Sequence, residues 1–300
     1  MLYFLCKVTF KVLNITNIQR IISDKKYLKL DYYVQMKRPL NLRKPVTYNE
    51  KLQWLKLHDR KDIYTTMVDK YEVKKYISNI IGEEYIIPTI GIYDKFDDIE
   101  FDKLPNQFVM KCTHDSGGLV ICKDKNNFNI KKAKKIICKS LKENYYYQGR
   151  EWPYKNVKPR IIIEEYMEDM QLHELRDYKF FCFNGKVQLM FVASNRQGNG
   201  ETYFDFFDMN YNHLDIINGH PNANLPPEKP KKFSKMLKMA EKLSKSIPHV
   251  RIDFYEVNGK IFFGEFTFYH WSGFVPFKPE EWDKKIGDMI DLDVVKNNEK

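Results

Sequence analysis

From Arg251 to Thr267 the chain runs Arg-Ile-Asp-Phe-Tyr-Glu-Val-Asn-Gly-Lys-Ile-Phe-Phe-Gly-Glu-Phe-Thr, which reads as two strands joined by a tight turn. Side chains alternate across a strand, so Arg251 and Asp253 share a face, as do Glu265 and Thr267. Closing the hairpin brings Asp253 and Glu265 together. Two carboxylates beside a hydroxyl make a hard oxygen site suited to Mg²⁺, and Mg²⁺ held by protein carboxylates commonly accompanies a nucleotide phosphate. Arg251 would then hold a phosphoryl oxygen. An enzyme is the first expectation.

Three other groups carry chemistry only in company. Lys111 closes a strand and precedes the small, polar loop Cys112-Thr-His-Asp-Ser-Gly-Gly118. Glycines let backbone N–H groups approach a phosphate while the lysine adds a point charge; a plain hairpin turn with a surface lysine explains the same letters. The loop is not a Walker A motif, since no Gly-Lys-Ser/Thr opens a helix. Ile161-Ile-Ile-Glu-Glu-Tyr-Met167 is an apolar strand running into carboxylates. It is either a core strand ending at the surface or a hinge whose backbone and first carboxylate meet an adenine edge. Asp177 and Lys179 share a strand face, with Asn195-Arg196 after the partner strand; a cross-strand ion pair and a nucleotide contact both fit.

Around these groups the first 80 residues read mainly helical. Thr47-Tyr-Asn-Glu50 has capping-box spacing, and a second helix is expected over 63–80, stopping at Gly82. Strands are expected at 107–111, 119–123 and 160–165, with a lysine-rich helix over 130–147. Further strands fall at 177–183, 186–193 and about 203–208, the first two joined by Asn184-Gly185. A helix over 234–246, the Arg251 hairpin and a closing helix near 280–290 complete an α+β chain. The expected division is 1–87 mainly helical, 88–165 a compact α+β unit and 166–300 a second one.

Composition narrows the classes. Hydrophobic residues make up 43% of the 300 and aromatics 15%, ample for packed cores. The net charge of +10 suits nucleic acid, an anionic membrane face or an acidic substrate, but no nucleic-acid motif is present and nucleic acid is not expected as a partner. Five cysteines without a C-x-x-C pair read as buried thiols of a reducing compartment, and the expected location is cytoplasmic. No apolar run approaches the roughly 20 residues of a membrane span. The segment 1–13 is apolar with basic punctuation; it is a helix docked on its own protein or one in peripheral contact with the inner face of the membrane.

The order lysine and glycine loop, hinge carboxylates, Asp-x-Lys strand, then Asp and Glu on a hairpin resembles the ATP-grasp superfamily. The whole-chain texture is similar to its TupA-like branch, associated with cell-surface polysaccharide synthesis. The matching stretches include Thr47-Tyr-Asn-Glu-Lys-Leu-Gln-Trp-Leu-Lys, Val68-Asp-Lys-Tyr, Phe108-Val-Met-Lys-Cys-Thr-His-Asp-Ser-Gly-Gly, Asp177-Tyr-Lys-Phe-Phe, Arg251-Ile-Asp-Phe-Tyr and Gly264-Glu-Phe-Thr-Phe-Tyr. The resemblance spans roughly residues 30–290. It implies an ATP-grasp fold, two α+β lobes enclosing an ATP cleft, and an ATP- and Mg²⁺-dependent carboxylate–amine ligase working through an acyl phosphate.

By position, the resemblance gives Lys111 to the ATP phosphates and makes His114, Ser116, Gly117 and Gly118 part of a mobile loop covering them. Glu164, Glu165, Tyr166 and Met167 would meet the adenine. Asp177 would lie near the ribose or phosphates and Lys179 near phosphate, with Arg251 and Lys111 assisting transfer. Asp253, Glu265 and Thr267 would hold the metal, Thr267 standing where many relatives have Asn. The implied substrates are an acidic glycan or uronate acceptor and an amino acid or other amine. A glycosyltransferase or a glycan kinase of the same pathway are the alternatives. For the acceptor pocket the sequence offers 270–274, with Trp54, His58 and Asp69 behind.

Overall fold

The computed structural model describes residues 2–172, 174–196 and 200–296; residues 297–300, the end of the expected third segment, lie outside them. Its helices are α1 (Leu2–Ile15), α2 (Asp24–Met36), α3 (Tyr48–His58), α4 (Ile63–Val68), α5 (Glu72–Ile81), α6 (Ile130–Ser140), α7 (Tyr146–Gly149), α8 (Phe233–Leu243), α9 (Glu281–Asp288) and α10 (Asp293–Lys296). The strands are β1 (Thr89–Tyr93), β2 (Phe108–Cys112), β3 (Leu119–Cys122), β4 (Ile161–Glu165), β5 (Asp177–Phe183), β6 (Lys186–Ser194), β7 (Tyr203–Phe207), β8 (His213–Leu214), β9 (His249–Val257) and β10 (Lys260–Thr267).

They form two antiparallel sheets, β1-β4-β2-β3 and β10-β9-β5-β6-β7-β8. On the first sheet Met110, Cys112, Ile161 and Ile163 pack against Ala133 and Ile137 of α6. The lysine-rich α6 survives as a helix because one apolar stripe is buried while its lysines stay in water. It ends at Ser140 rather than near 147; Asn144 then accepts from the backbone N–H of Tyr146 and α7 begins afresh. The second sheet buries Phe180, Phe181, Phe191 and Phe206 completely. Each such ring contributes roughly 1.5–3 kcal/mol relative to exposure. α8 covers one face through Ala240 and Leu243, and α3 and α4 cover part of the other through Tyr48 against Phe181 and Tyr64 against Phe268.

The Thr47–Glu50 capping box forms in full and fixes the start of α3. The helix expected over 63–80 is broken. Asp69 turns its carboxylate back to accept the N–H groups of Tyr71 and Glu72, starting α5 and freeing Lys70 from helical geometry.

β9 and β10 are joined by Asn258-Gly259, both at positive φ (50° and 74°), the requirement of a tight hairpin turn with the sheet's twist. Register is set further along. Phe263 stands opposite Phe254, but Glu265 stands opposite Asp253, so the bulge at Gly264 rephases the strand and turns Glu265 and Thr267 onto the face of Asp253 and Arg251. A Cβ on Gly264 would lie 3.1 Å from the Asp253 carbonyl oxygen, so glycine fits this close approach.

His249 at the start of β9 is fully enclosed, with Tyr48 Oη 2.9 Å from Nε2 and the Cys182 carbonyl oxygen 3.1 Å from Nδ1. A carbonyl only accepts, so Nδ1–H donates to Cys182, and in the neutral ring Nε2 then accepts from the tyrosine hydroxyl. Burial pushes the imidazole pKa down to about 3. The unfolded chain protonates this ring near pH 6.5, so stability present above that pH is lost as the pH falls toward 3, on the order of 5 kcal/mol at most. Thermal melts of the wild type and His249→Gln at pH 7.5 and 4.5 check this. The variant loses less stability on acidification, and equal losses would show that His249 is not the sensitive group.

Candidate active site

The two sheets face one another across a cleft of about 900 Å³, including the space open to solvent. The first sheet contributes Lys111 and Glu164, with Asp115, Ser116 and Gly118 from the loop after β2. The second contributes Asp177, Tyr255 and Glu265. Beside it, a hollow lined by Val109, Ile121, Glu165, Tyr166, Met167 and Tyr255 provides apolar walls of a kind that accept a flat heterocycle.

On the second sheet the charges alternate. Arg196 pairs with Asp177; Asp177 pairs with Lys179 at 2.6 Å; Lys179 pairs with Asp253; and Arg251 grips Asp253 through two bonds of 2.7 Å. Asp177 and Lys179 thus pair along their own strand, while Arg196–Asp177 and Lys179–Asp253 form the cross-strand ion pairs that their spacing allowed. Burial alone would raise the Asp253 carboxyl, but Arg251 and Lys179 hold it down at about 2. The Arg251 guanidinium also donates to Thr267 Oγ1 at 2.9 Å and lies 3.7 Å from Glu265. Its Nη1 is 2.6 Å from His270 Nδ1, whose other nitrogen is 2.8 Å from Asn218 Oδ1. Since arginine only donates, Nδ1 accepts and Nε2–H donates to Asn218. Burial and then Arg251 depress the His270 pKa, in keeping with a neutral ring. His270 therefore fixes the arginine. Asp177 Oδ1 is buried on the cleft wall without a partner, an acceptor open to a ligand hydroxyl or ammonium.

Donor chemistry fits a divalent cation. Asp253 and Glu265 are cross-strand partners, and the cation between them is Arg251. Glu265 is the half exposed to the cleft, while Asp253 is fully buried and paired on both oxygens. Thr267 accepts from Arg251, so a metal would share it with the guanidinium. Among the described residues no group of three or more His, Cys, Asp or Glu side chains converges as a metal cage, which leaves two carboxylates and the ligand's own oxygens.

On the first sheet three expectations change. Glu164 does not present a free carboxylate to a base; it is buried between Lys111 at 2.7 Å and Lys74 at 2.5 Å. Burial opposes its ionisation, and the two lysines overcome that and lower its pKa. His114, expected in a loop covering the phosphates, is packed inside the lobe. It is buried, with Nε2 within 3.2 Å of the carbonyl oxygens of Ser140 and Glu143, and anchors the loop to the end of α6. The Gly118 N–H is already taken by the Asp115 carboxylate. Ser116 and Gly117 remain exposed at the loop tip.

The structure adds residues the sequence left out. Lys70 lines the cleft, donates to the Asp115 carbonyl oxygen and is lowered in pKa by burial. Lys74 donates to Ile87 O and Thr89 Oγ1, both at 2.7 Å, and to Glu164. The Asp69-x-x-Glu72 spacing is the signal that marks the helix break and turns Lys70 toward the cleft. Behind Arg251, Glu151 is buried and pushed up in pKa by burial, while Lys56 is pushed down to about 8. Lys56 Nζ is held by Gln53 and Ser272. Trp271, Ser272 and Gly273 all take positive φ beside them, so segment 270–274 packs near the cleft with Trp271 still exposed. Lys70→Met should weaken ATP binding about tenfold or more with little change in melting temperature; calorimetry giving an unchanged Kd would remove Lys70 from the site.

Two α+β lobes closing on a cleft with lysines on one wall and an arginine–carboxylate chain on the other define the ATP-grasp architecture. The family described as TupA-like ATPgrasp matches residues 50–291, and the chain belongs to that family. It is an ATP-dependent ligase. No curated protein is significantly similar to it. Among solved structures it is similar to the D-alanine–D-alanine ligase from Bacillus anthracis (16% identity, 84% of this chain and 72% of that one, TM-score 0.41). It is also similar to the Helicobacter pylori D-alanine–D-alanine ligase (13%, 83% and 68%, 0.42) and the D-cycloserine synthetase DcsG (12%, 76% and 70%, 0.42). These likenesses are distant, and the family match carries the assignment.

Proposed function

We propose that this enzyme uses ATP to activate a carboxylate as an acyl phosphate and passes the acyl group to an amine. The observation that carries the reading is the facing of Lys70 and Lys111 with Asp177 and Glu265 across one cleft, with Arg251 behind. In the first step a carboxylate oxygen attacks the terminal phosphorus and ADP leaves. In the second the amine attacks the acyl carbon, phosphate leaves and the nitrogen loses a proton. Lys111 and Lys70 would hold the phosphates. Arg251, fixed by His270 and Asp253, would meet the transferring group. Such positioning and charge neutralisation are what phosphoryl transfer requires. Asp253 and Glu265 would hold Mg²⁺, which when bound neutralises phosphate charge. Tyr166, Met167 and the neighbouring apolar walls would take the adenine.

The acceptor we propose is a uronic acid of a surface polysaccharide or its precursor, and the amine an amino acid. This follows the similarity of the TupA-like branch to proteins proposed to join amino acids to uronic-acid polymers. The test is incubation of the protein with ATP, Mg²⁺ and a panel of amino acids and uronates, following ADP release and the mass of the acceptor. An acceptor that gains an amino acid less one water supports the proposal. One that gains phosphate makes the protein a kinase, and release of a nucleoside diphosphate only from a sugar nucleotide makes it a glycosyltransferase.

A further inference from the structure

The charge excess is local. Residues 1–44 hold ten Lys and Arg against two Asp, +8 of the chain's +10, while the remaining 256 residues are nearly balanced. The excess therefore lies away from the cleft and lends no support to an acidic acceptor there. Both acids of the segment are turned inward: Asp24 pairs with Arg60 and Tyr146, each at 2.6 Å, and Asp31 is buried. Lys7, Lys11, Lys25, Lys26 and Lys29 are exposed.

α1 is apolar on two sides. Its inner side docks on α2, where Tyr3 meets Tyr33, Phe10 meets Tyr27 and Tyr3 Oη donates to the Val34 carbonyl oxygen. On the other side Phe4, Val8, Val12 and Ile15 recur at i, i+4, i+8 and i+11, forming one stripe with Leu5 beside it, and all are exposed. Phe4 is 71% exposed and Ile15 70%. Next to this stripe an open pocket between α1 and α2 is lined by Cys6, Leu30, Tyr33 and Leu40 and fringed by Lys26 and Lys29. An apolar stripe and an apolar pocket, both rimmed by lysines without opposing surface acids, complement a surface that is apolar inside and anionic at its head groups. At 14 residues α1 is about 21 Å long, too short to cross a bilayer, and no described helix is long and apolar enough to do so.

We infer that the α1–α2 face binds anionic phospholipid membranes, with α1 lying in the interface, its Phe4–Ile15 stripe among the acyl chains and the surrounding lysines on the lipid phosphates. The enzyme would then work at a membrane surface. The inference does not depend on which acceptor the cleft takes.

Flotation of the full chain with vesicles tests it, using phosphatidylcholine alone and phosphatidylcholine with 30% phosphatidylglycerol in about 0.1 M salt, near the ionic strength where exposed charges still act over about 10 Å. The wild type should bind the anionic vesicles at least tenfold more tightly. Replacing Lys7, Lys11 and Lys25 by Gln should weaken binding about a hundredfold, roughly fivefold per lysine. Phe4→Ser/Val8→Ser/Val12→Ser, which keeps every charge, should abolish it. ATP calorimetry on each variant shows that the fold is intact. The inference is overturned if the wild type fails to float, floats equally with neutral lipid, or floats unchanged after the serine substitutions. It is also overturned if sedimentation equilibrium shows a dimer that these serines dissociate, because a second copy would then cover the stripe.

Discussion

Asp253→Asn should lose both activity and stability, whereas Glu265→Gln should lose activity alone. The two carboxylates face each other across β9 and β10 and are both proposed to hold the metal, yet their surroundings differ. Asp253 is fully buried, and its oxygens neutralise Arg251 and Lys179. Asparagine keeps the shape and removes the charge, leaving Lys179 with Asp177 and Arg251 with the 3.7 Å approach of Glu265 in a water-poor wall. Breaking a buried pair from one side costs about 3–5 kcal/mol, equivalent to roughly 10 °C in melting temperature for a chain of this size. Glu265 has a side chain 47% exposed and only a 3.7 Å approach from Arg251, so its amide should change stability by no more than about 0.5 kcal/mol. ATP turnover should fall by about 10²–10³ in both, the usual effect of removing one charge aimed at the reacting group. Thermal melts and ADP release on the same preparations separate the cases. If Asp253→Asn melts like the wild type, the charge chain is not structural; if Glu265→Gln turns over normally, Glu265 is not at the phosphates.

The hairpin was legible in the sequence because its information is local. Period-2 alternation groups Arg251 with Asp253 and Glu265 with Thr267, and a tight turn joins their strands; the Gly264 bulge, which alternation alone does not supply, then brings the two groups onto one face. Strands β2 to β6 follow from apolar runs between turn residues for the same reason. What the sequence hid is pairing at long range. Nothing in Ile161–Met167 says that Glu164 will meet Lys74, 90 positions earlier. Hydrophobic periodicity over 63–80 favoured one helix and outweighed the Asp69–Glu72 cap that breaks it. Lys70, which depends on that break, went with it. The burial of His114 is likewise hidden, because a small polar loop shows nothing of the carbonyl groups of Ser140 and Glu143 that hold its ring. The charge excess at 1–44 was countable from the start, but it gains meaning only once both acids of the segment are seen to face inward.

Glu164→Gln should destabilise the protein by about 3 kcal/mol and should do so through Lys74. Glu164 sits in β4, Lys111 in β2 and Lys74 in α5, and Lys74 also holds Ile87 and Thr89 where the chain enters β1. The carboxylate therefore ties the helical region and the start of the first sheet to that sheet's centre. Gln can accept from one lysine but carries no charge, so two partly buried ammonium groups lose their counter-ion. Lys74→Met removes one of those cations and replaces it with an apolar chain of similar length. In a double-mutant cycle the pair should then cost 1–2 kcal/mol less than the sum of the single variants, as contacting charges do. Lys111, with its side chain 25% exposed to the cleft, should couple more weakly to Glu164 in the same measurement and should show its main effect on ATP affinity. Additive losses for Glu164 and Lys74 would mean that the ion pair is incidental and that the first sheet is tied to the helices by its apolar contacts alone.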